Sequence, residues 1–176
     1  MKPPTPRTTL PGELMMWVLI FSELAVFGAG IALFMVLRLM DPAGFEAAQE
    51  ALLPGLAGIN TILLITSGLC AALAVQQIHR ARLWLALAAA MGVGFLILKG
   101  LEFRHKAHLG ITFETHDFFM FYYLLTGFHA AHVVAGIGIL LLVAYTRKHA
   151  HIEAGAAFWH MVDLVWVLLF PVMYLL

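Results

Sequence analysis

The chain has 176 residues, of which 62% are hydrophobic and 11% are charged, and its mean hydropathy is +0.93. An ordinary soluble domain is about 45–50% apolar and about 25% charged, so the composition excludes that class and predicts an integral membrane protein. Acidic and basic residues balance at ten each, which gives no indication of nucleic-acid binding. The single cysteine, Cys70, lies in an apolar run, so we expect neither a disulfide nor a thiolate metal site.

Five apolar segments are long enough to cross a bilayer as helices, since a span requires about 20 residues. They cover residues 14–39, 56–78, 83–101, 118–145 and 156–176. Residues 1–13 form a polar, proline-rich tail, and residues 14–176 are predicted to be one transmembrane domain. The first apolar run is longer than the core of a signal peptide, about 7–15 residues, so we interpret it as a retained span. The predicted fold is an all-α integral membrane bundle of five helices.

Short polar or turn-forming segments separate the predicted spans. A turn at residues 41–44 ends the first span, and a tight polar turn at 76–82 predicts that the second and third helices are antiparallel neighbours. Basic residues in short loops mark the cytoplasmic side. They favour the side of the N-terminus, which predicts a cytoplasmic N-terminus and a periplasmic C-terminus. The basic residues on the side of the N-terminus are Lys2, Arg7, Arg80, Arg82, Arg147 and Lys148. Those on the opposite side are Arg38, Lys99, Arg104 and Lys106.

The end of the third span carries a regularly spaced group of charges. Lys99, Glu102 and Lys106 fall at positions i, i+3 and i+7, so they share one helix face and can pair along it. We interpret them as a solvated helix end that extends beyond the membrane and is stabilised by ion pairs. The alternative is a docking surface for a partner subunit.

Five ionisable side chains lie near the middle of the predicted spans. Glu23 is nine residues into the first span, about 13 Å from its inner end at the helical rise of about 1.5 Å per residue. A charged side chain at the bilayer centre costs at least about 2.5–3.5 kcal/mol, so we expect these groups to face one another inside the bundle. The group consists of Glu23, His129, His132, His160 and Asp163.

Three interpretations of this group remain open. The first is an interhelical hydrogen-bond network that fixes the packing of the bundle. The second is a proton pathway through Glu23 and Asp163. The third is a metal or haem site on His129, His132 and His160, but the first two are only three residues apart and no carboxylate-histidine motif accompanies them. We therefore expect no metal and no catalytic residue in this chain.

Helix four carries a repeat of small residues. Gly127, Ala131 and Ala135 recur every four residues, a small-xxx-small pattern that predicts close packing against another helix.

A basic segment precedes the fifth span. A pocket of positive charge at this position suits an anionic lipid headgroup, while the alternative is a simple positive-inside signal. The candidate headgroup ligands are Arg147, Lys148, His149 and His151.

Three segments resemble subunit III of the haem-copper oxidases. Segment 17–23, Trp-Val-Leu-Ile-Phe-Ser-Glu, resembles the tryptophan, aliphatic run and Ser-Glu of that family's first shared helix. Segment 127–136 resembles its Gly-Phe-His-x-x-His-Val run, and segment 159–166 resembles its final-helix signature, Trp-His-x-Val-Asp-x-Val-Trp. Larger members have seven helices, so this chain resembles the five-helix form of bacterial oxidases and of the NorE-type protein linked to nitric oxide reductase. Segment 117–127 favours the NorE-type version.

The resemblance implies a non-catalytic subunit of a respiratory terminal oxidase or nitric oxide reductase in a bacterial inner membrane. Such a subunit packs against the catalytic subunit, holds phospholipid, supports proton uptake and protects its partner from inactivation during turnover. Haem with copper or iron is then expected on partner subunits and not on this chain. By position, Glu23 corresponds to the family's buried carboxylate, and Arg147, His149 and His151 lie in its headgroup-binding loop. The alternative from another class is a stand-alone proton-coupled transporter that uses Glu23 and Asp163.

Overall fold

The computed structural model describes residues 14–146 and 149–176, and these residues are helical apart from short connections. The helices are α1 (Leu14–Met40), α2 (Pro42–Gln49), α3 (Pro54–Gln76), α4 (Ala81–His108), α5 (Asp117–Thr146) and α6 (His149–Tyr174). A 3-10 turn, Ile78–Arg80, joins α3 to α4. Within the described residues, all helices except α2 are long and apolar enough to cross a membrane. The predicted all-α bundle of five spanning helices is therefore confirmed. The predicted tail at residues 1–13 lies outside the described residues.

The helices extend beyond the apolar windows that predicted them. Helix α4 continues to His108 and α6 begins at His149, so each includes polar residues next to the span. The connection after α1 contains the short helix α2, which the sequence analysis treated only as a turn. Asp41 caps it by accepting a hydrogen bond from the Gly44 amide, and Pro42 occupies its first turn. Both residues favour a helix start, because the carboxylate satisfies a free amide and proline has no amide to satisfy.

Four of the spans form a ring and the fifth lies on its outside. Helix α4 packs between α3 and α5, and α6 closes the ring between α5 and α3. The predicted antiparallel pairing of α3 with α4 is confirmed, and Ser67 of α3 ties the two by donating to the Ala88 carbonyl at 2.8 Å. Helix α1 contacts α5 and α6 and buries Ile20, Phe27 and Phe34, which recur every seven residues on one face.

Two tryptophans of α6 fill the centre of the ring. Trp159 donates to the Ser67 hydroxyl at 3.0 Å and Trp166 donates to the Thr61 hydroxyl at 3.0 Å, so both indoles tie α6 to α3. Gly92 of α4 and Gly136 of α5 make room for the Trp159 ring. A Cβ at these positions would lie 2.7 Å and 2.6 Å from ring carbons, which is closer than packed atoms approach.

The small-residue repeat of α5 does not face another helix of this chain, so that prediction is wrong. Ala131 and Ala135 are exposed, and a Cβ at Gly127 would have no neighbour within 4 Å. The inward face of α5 instead carries large side chains that fill the ring, including Tyr122, Leu125, His129 and Val133. Because these residues take the interior, the small ones occupy the opposite face.

Candidate functional site

Glu23 and His132 form a pair that joins α1 to α5. His132 Nε2 lies 3.0 Å from Glu23 Oε2 as an ion-pair contact, and both side chains are mostly buried. His132 Nδ1 is 2.9 Å from the carbonyl oxygen of Phe128, one turn earlier. Since a carbonyl only accepts, Nδ1 carries a hydrogen and Nε2 faces the carboxyl group. The contact is an ion-pair distance and not a hydrogen bond, since Glu23 Oε2 has no hydrogen-bond partner among the described residues.

His129 is enclosed by aromatic rings. Its ring stacks on Trp166 with centroids 5.2 Å apart, and it meets the Phe95 ring edge to face at 5.5 Å. Phe27 of α1 contacts both His129 and His132, at centroid distances of 6.4 Å and 5.6 Å. Neither imidazole nitrogen has a hydrogen-bond partner within the described residues.

His160 and Asp163 form a second, looser pair beside α3. His160 Nδ1 is 3.9 Å from Asp163 Oδ2, which is beyond hydrogen-bond distance. The His160 side chain is 47% exposed and that of Asp163 is 11% exposed. Asp163 Oδ1 is enclosed without a donor from the described residues. The carboxylate fits because position 68 of α3 is glycine, where any Cβ would collide with Asp163 Oδ2.

The expectation that all five groups face one another is wrong, although one pair does meet across helices. A step of three residues on a helix turns the side chain by about 60° from its starting direction, at 3.6 residues per turn. His129 therefore points into the ring while His132 points to α1, and His160 and Asp163 lie on the α3 side of α6. Within the described part of the chain, no three His, Cys, Asp or Glu residues are placed to hold a metal ion.

The charged face at the end of α4, formed by Lys99, Glu102 and Lys106, is buried inside the bundle. Lys99, Glu102 and Lys106 are 2%, 1% and 0% exposed, so the interpretation as a solvated helix end is wrong. Glu102 accepts from Lys99 Nζ at 3.0 Å and from Lys106 Nζ at 2.6 Å. Buried charges are tolerated where they are paired and hydrogen-bonded, and this face of α4 meets that condition.

Two tyrosines complete this cluster and connect it to α5 and α6. Lys99 Nζ donates to Tyr122 OH at 3.0 Å and to Tyr174 OH at 2.6 Å, and Tyr174 OH donates to Glu102 at 2.9 Å. The Lys99 ammonium also lies 4.7 Å from the centroid of the Tyr122 ring. Tyr122 and Tyr174 were not among the candidate residues of the sequence analysis. Their positions in the chain could have indicated this contact, because α5 begins and α6 ends beside the end of α4.

The opposite end of the bundle is basic and holds a cavity of ≈ 420 Å³. Its walls include the apolar side chains of Leu85, Val143 and Ile152, and its polar lining includes His79 and Arg82. Arg82 Nε donates to the Ala144 carbonyl at 3.1 Å, which fixes the guanidinium beside α5. Of the headgroup candidates, His149 is exposed and pairs with Glu153 at 3.3 Å, and His151 is exposed. Arg147 and Lys148 lie outside the described residues.

Comparisons with known proteins agree with this architecture. The family model for cytochrome c oxidase subunit III matches residues 10–176. Cytochrome c oxidase subunit 3 of Bacillus subtilis is 31% identical over 97% of this chain and 90% of that protein. Quinol oxidase subunit 3 of the same species is 29% identical over 91% and 84%. Heme-copper oxidase subunit I+III of Aeropyrum pernix is 30% identical over 91% of this chain and 22% of that protein.

The five-helix fold and these matches define a multi-pass membrane subunit of the haem-copper oxidases. The chain belongs to the cytochrome c oxidase subunit III family. The predicted family and the predicted role as a non-catalytic oxidase subunit are therefore confirmed. Nothing in the comparisons favours a proton-coupled transporter.

Proposed function

We propose that this chain is the subunit III that stabilises the catalytic, haem-bearing subunit of a terminal oxidase and supports its proton uptake in a bacterial inner membrane. The observation that carries the proposal is the family match over residues 10–176, which includes both Glu23 and His132. The name of the Aeropyrum pernix relative joins subunits I and III in one protein, which supports subunit I as the partner.

The Glu23–His132 pair has the chemistry that support of proton uptake requires. It lies deep in α1 and α5, is partly exposed, and places an imidazole nitrogen 3.0 Å from a carboxyl oxygen. Two ionisable groups in contact avoid the cost of an isolated charge within the bilayer. His129 has no hydrogen-bond partner among the described residues, so no hydrogen bond within that part of the chain extends this pair to it.

The orientation with a cytoplasmic N-terminus gains support from the buried cluster. Lys99 and Lys106 are paired inside the bundle and do not act as loop charges. The end of the molecule opposite the N-terminus then retains Arg38 and Arg104 from the earlier set. The basic bias toward the N-terminal side is therefore stronger than the sequence count indicated.

Phospholipid is the ligand that we propose for the basic end. The cavity combines apolar walls with Arg82 and His79, which matches an amphiphile that has acyl chains and an anionic headgroup. His149 and His151 lie at the start of α6, beside Arg147 and Lys148 in the sequence, and extend the basic surface.

The association with nitric oxide reductase through a NorE-type relationship stays a prediction. Of the three relatives reported above, two are named as cytochrome c or quinol oxidase subunits and one as a heme-copper oxidase subunit, which favours the oxidase context. We expect haem and copper on the partner subunits of an oxidase, whereas a nitric oxide reductase would bring haem and non-haem iron.

Affinity purification of the tagged chain from native membranes in mild detergent tests the proposal. The expected result is co-purification of a larger haem-bearing subunit with copper. Co-purification of haem and iron without copper would indicate that the complex is a nitric oxide reductase and not a terminal oxidase. Recovery of the chain without any haem-bearing protein, from membranes that contain active oxidase, would contradict the function.

A further inference from the structure

We infer that the surface formed by His160 and Asp163 of α6 is the face on which a transmembrane helix of the catalytic subunit docks. We further infer that the partner helix places a hydrogen-bond donor at the depth of these two side chains. This inference rests on the proposed function, which supplies the partner, and goes beyond it by assigning the face.

The depth of the pair is the first step. His160 lies 11 residues after His149 and 14 before Tyr174, the two ends of α6. These separations correspond to about 17 Å and about 21 Å of helix, so the imidazole is near the middle of the bilayer. Its side chain is 47% exposed at that depth. Hydrocarbon offers no hydrogen-bond partner, and an ionisable side chain there requires one.

The second step is that the pair does not satisfy itself. Asp163 accepts no hydrogen bond from the described residues: Oδ1 is enclosed without a donor, and Oδ2 is 3.9 Å from His160 Nδ1. The other mid-membrane pair is closer and less open. Glu23 and His132 are in contact at 3.0 Å across α1 and α5, although Glu23 Oε2 makes no hydrogen bond with the described residues, and their side chains are 25% and 16% exposed. Of these two pairs, the one that is more open to a group from outside the chain is therefore His160 with Asp163.

The surroundings of the pair fit a helix as the occupant. Leu164, Val167 and Leu168 are exposed along the following turns of α6, so the pair interrupts an apolar strip. On the α3 side, Ile65 and Leu69 are exposed next to Gly68. A spanning helix with one polar side chain complements such a surface, because apolar contacts form along its length and one hydrogen bond forms at the pair. A carboxylate that lacks a donor selects a partner side chain with an N–H or O–H group.

Site-specific photo-crosslinking in the intact complex tests the assignment. A photoreactive amino acid replaces Leu164, one turn from His160 on the same face. The matched control replaces Val134, an exposed residue on the outward face of α5. We expect an adduct with the catalytic subunit from position 164 and none from position 134. An adduct from position 134 alone, an adduct between two copies of this chain, or adducts only with lipid would each overturn the docking face.

A second measurement addresses the hydrogen bond. His160→Leu is expected to lower the ratio of this chain to the catalytic subunit after detergent purification by about 3- to 30-fold, the range for losing one interhelical hydrogen bond. His160→Gln retains hydrogen-bonding groups and should recover much of the ratio, while Val134→Leu should leave it unchanged. Equal ratios for His160→Leu and the unmodified chain would contradict the inference. If the unmodified chain does not co-purify at all, the proposed function fails instead.

Discussion

At the scale of single residues, the Glu23–His132 contact explains why a carboxylate is kept in the middle of α1. The imidazole is held by the Phe128 carbonyl and presents Nε2 to the carboxyl at 3.0 Å. Each group reduces the cost of placing the other in the bilayer. The pair therefore serves both the packing of α1 on the ring and the proposed support of proton uptake.

Replacing Glu23 separates these two roles. Glu23→Gln keeps the size of the side chain and removes its ionisable carboxyl group. We expect turnover of the whole complex to fall, or its inactivation during turnover to accelerate, as measured by oxygen consumption over successive turnovers. Glu114→Gln is the matched control, since it removes a carboxylate from an exposed loop and should leave the rate unchanged. Unchanged kinetics with a lower yield of assembled complex would restrict Glu23 to a structural role.

The glycines beside Trp159 give a residue-scale prediction about packing. Gly92→Ala places a Cβ 2.7 Å from the indole, so we expect a loss of about 1–3 kcal/mol in the free energy of unfolding from overpacking. Gly100→Ala is the control on the same helix, because its Cβ would meet nothing within 4 Å. Thermal unfolding of the purified complex in detergent measures both. Equal melting temperatures for the two variants would contradict the close packing of Trp159.

At the scale of elements, the Lys99–Glu102–Lys106 cluster ties three helices together at one end of the ring. Glu102 is the acceptor for both lysines, and Tyr174 links it to the last residues of α6. Removing the only carboxylate of the cluster leaves two buried cations without their counter-charge. Breaking a buried pair from one side costs about 3–5 kcal/mol, which is large compared with the loss of an exposed pair.

We therefore expect Glu102→Gln to reduce the amount of folded chain in the membrane and to lower its melting temperature strongly. Changing Lys99 to Met in the same chain should restore part of the stability, because one uncompensated charge is then absent. The control Glu50→Gln, in an exposed position after α2, should have no effect. The melting temperature in detergent checks all three, and a Glu102→Gln variant as stable as the control would refute the burial of the cluster.

The cavity at the other end of the bundle gives a prediction about lipid. Arg82→Gln removes the guanidinium that lines the cavity, so we expect less anionic phospholipid to remain bound through purification. Native mass spectrometry of the complex measures the bound lipid. Arg80→Gln is the neighbouring control, since Arg80 is exposed and is not part of the described cavity lining. The same lipid content in both variants would mean that the cavity is not a headgroup site.

These elements differ in how far the sequence could predict them. Length and hydropathy are enough for the five spans, since each contains about 20 apolar residues whatever surrounds it. The periodicity of α4 placed Lys99, Glu102 and Lys106 on one face, but a pattern within one helix does not show whether that face meets water or protein. Their partners Tyr122 and Tyr174 are on other helices, 23 and 75 residues from Lys99 in the chain. Only the packed ring brings them together.

The mid-membrane group shows the same limit. Depth along each span was readable from residue counting, and it placed all five groups near the middle of the predicted spans. The sequence did not show in which direction each side chain points around the axis of α5, because this helix has apolar residues on all sides and so gives no amphipathic signal. His129 and His132 consequently face different surroundings, and the pair on α6 belongs to another surface. Small residues on α5 misled the packing prediction for the same reason.

At the scale of the whole molecule, the chain is a closed ring of four helices with α1 on its outside. The ring holds the Lys99–Glu102–Lys106 cluster between its helices, whereas α1 packs mainly on α5 and α6 among the spanning helices and leaves much apolar surface exposed. As a member of the cytochrome c oxidase subunit III family, the molecule acts within a larger complex. Its proposed contribution is to keep the catalytic subunit active and not to carry out chemistry itself.

The lifetime of the catalytic subunit during turnover tests this central claim most directly. The complex is purified from cells with and without this chain, and oxygen consumption is followed until the enzyme inactivates, with haem content used to match enzyme amounts. We expect the complex without the chain to retain its haem but to inactivate after fewer turnovers, and adding back the purified chain should restore the lifetime. An identical number of turnovers before inactivation in both preparations would contradict it.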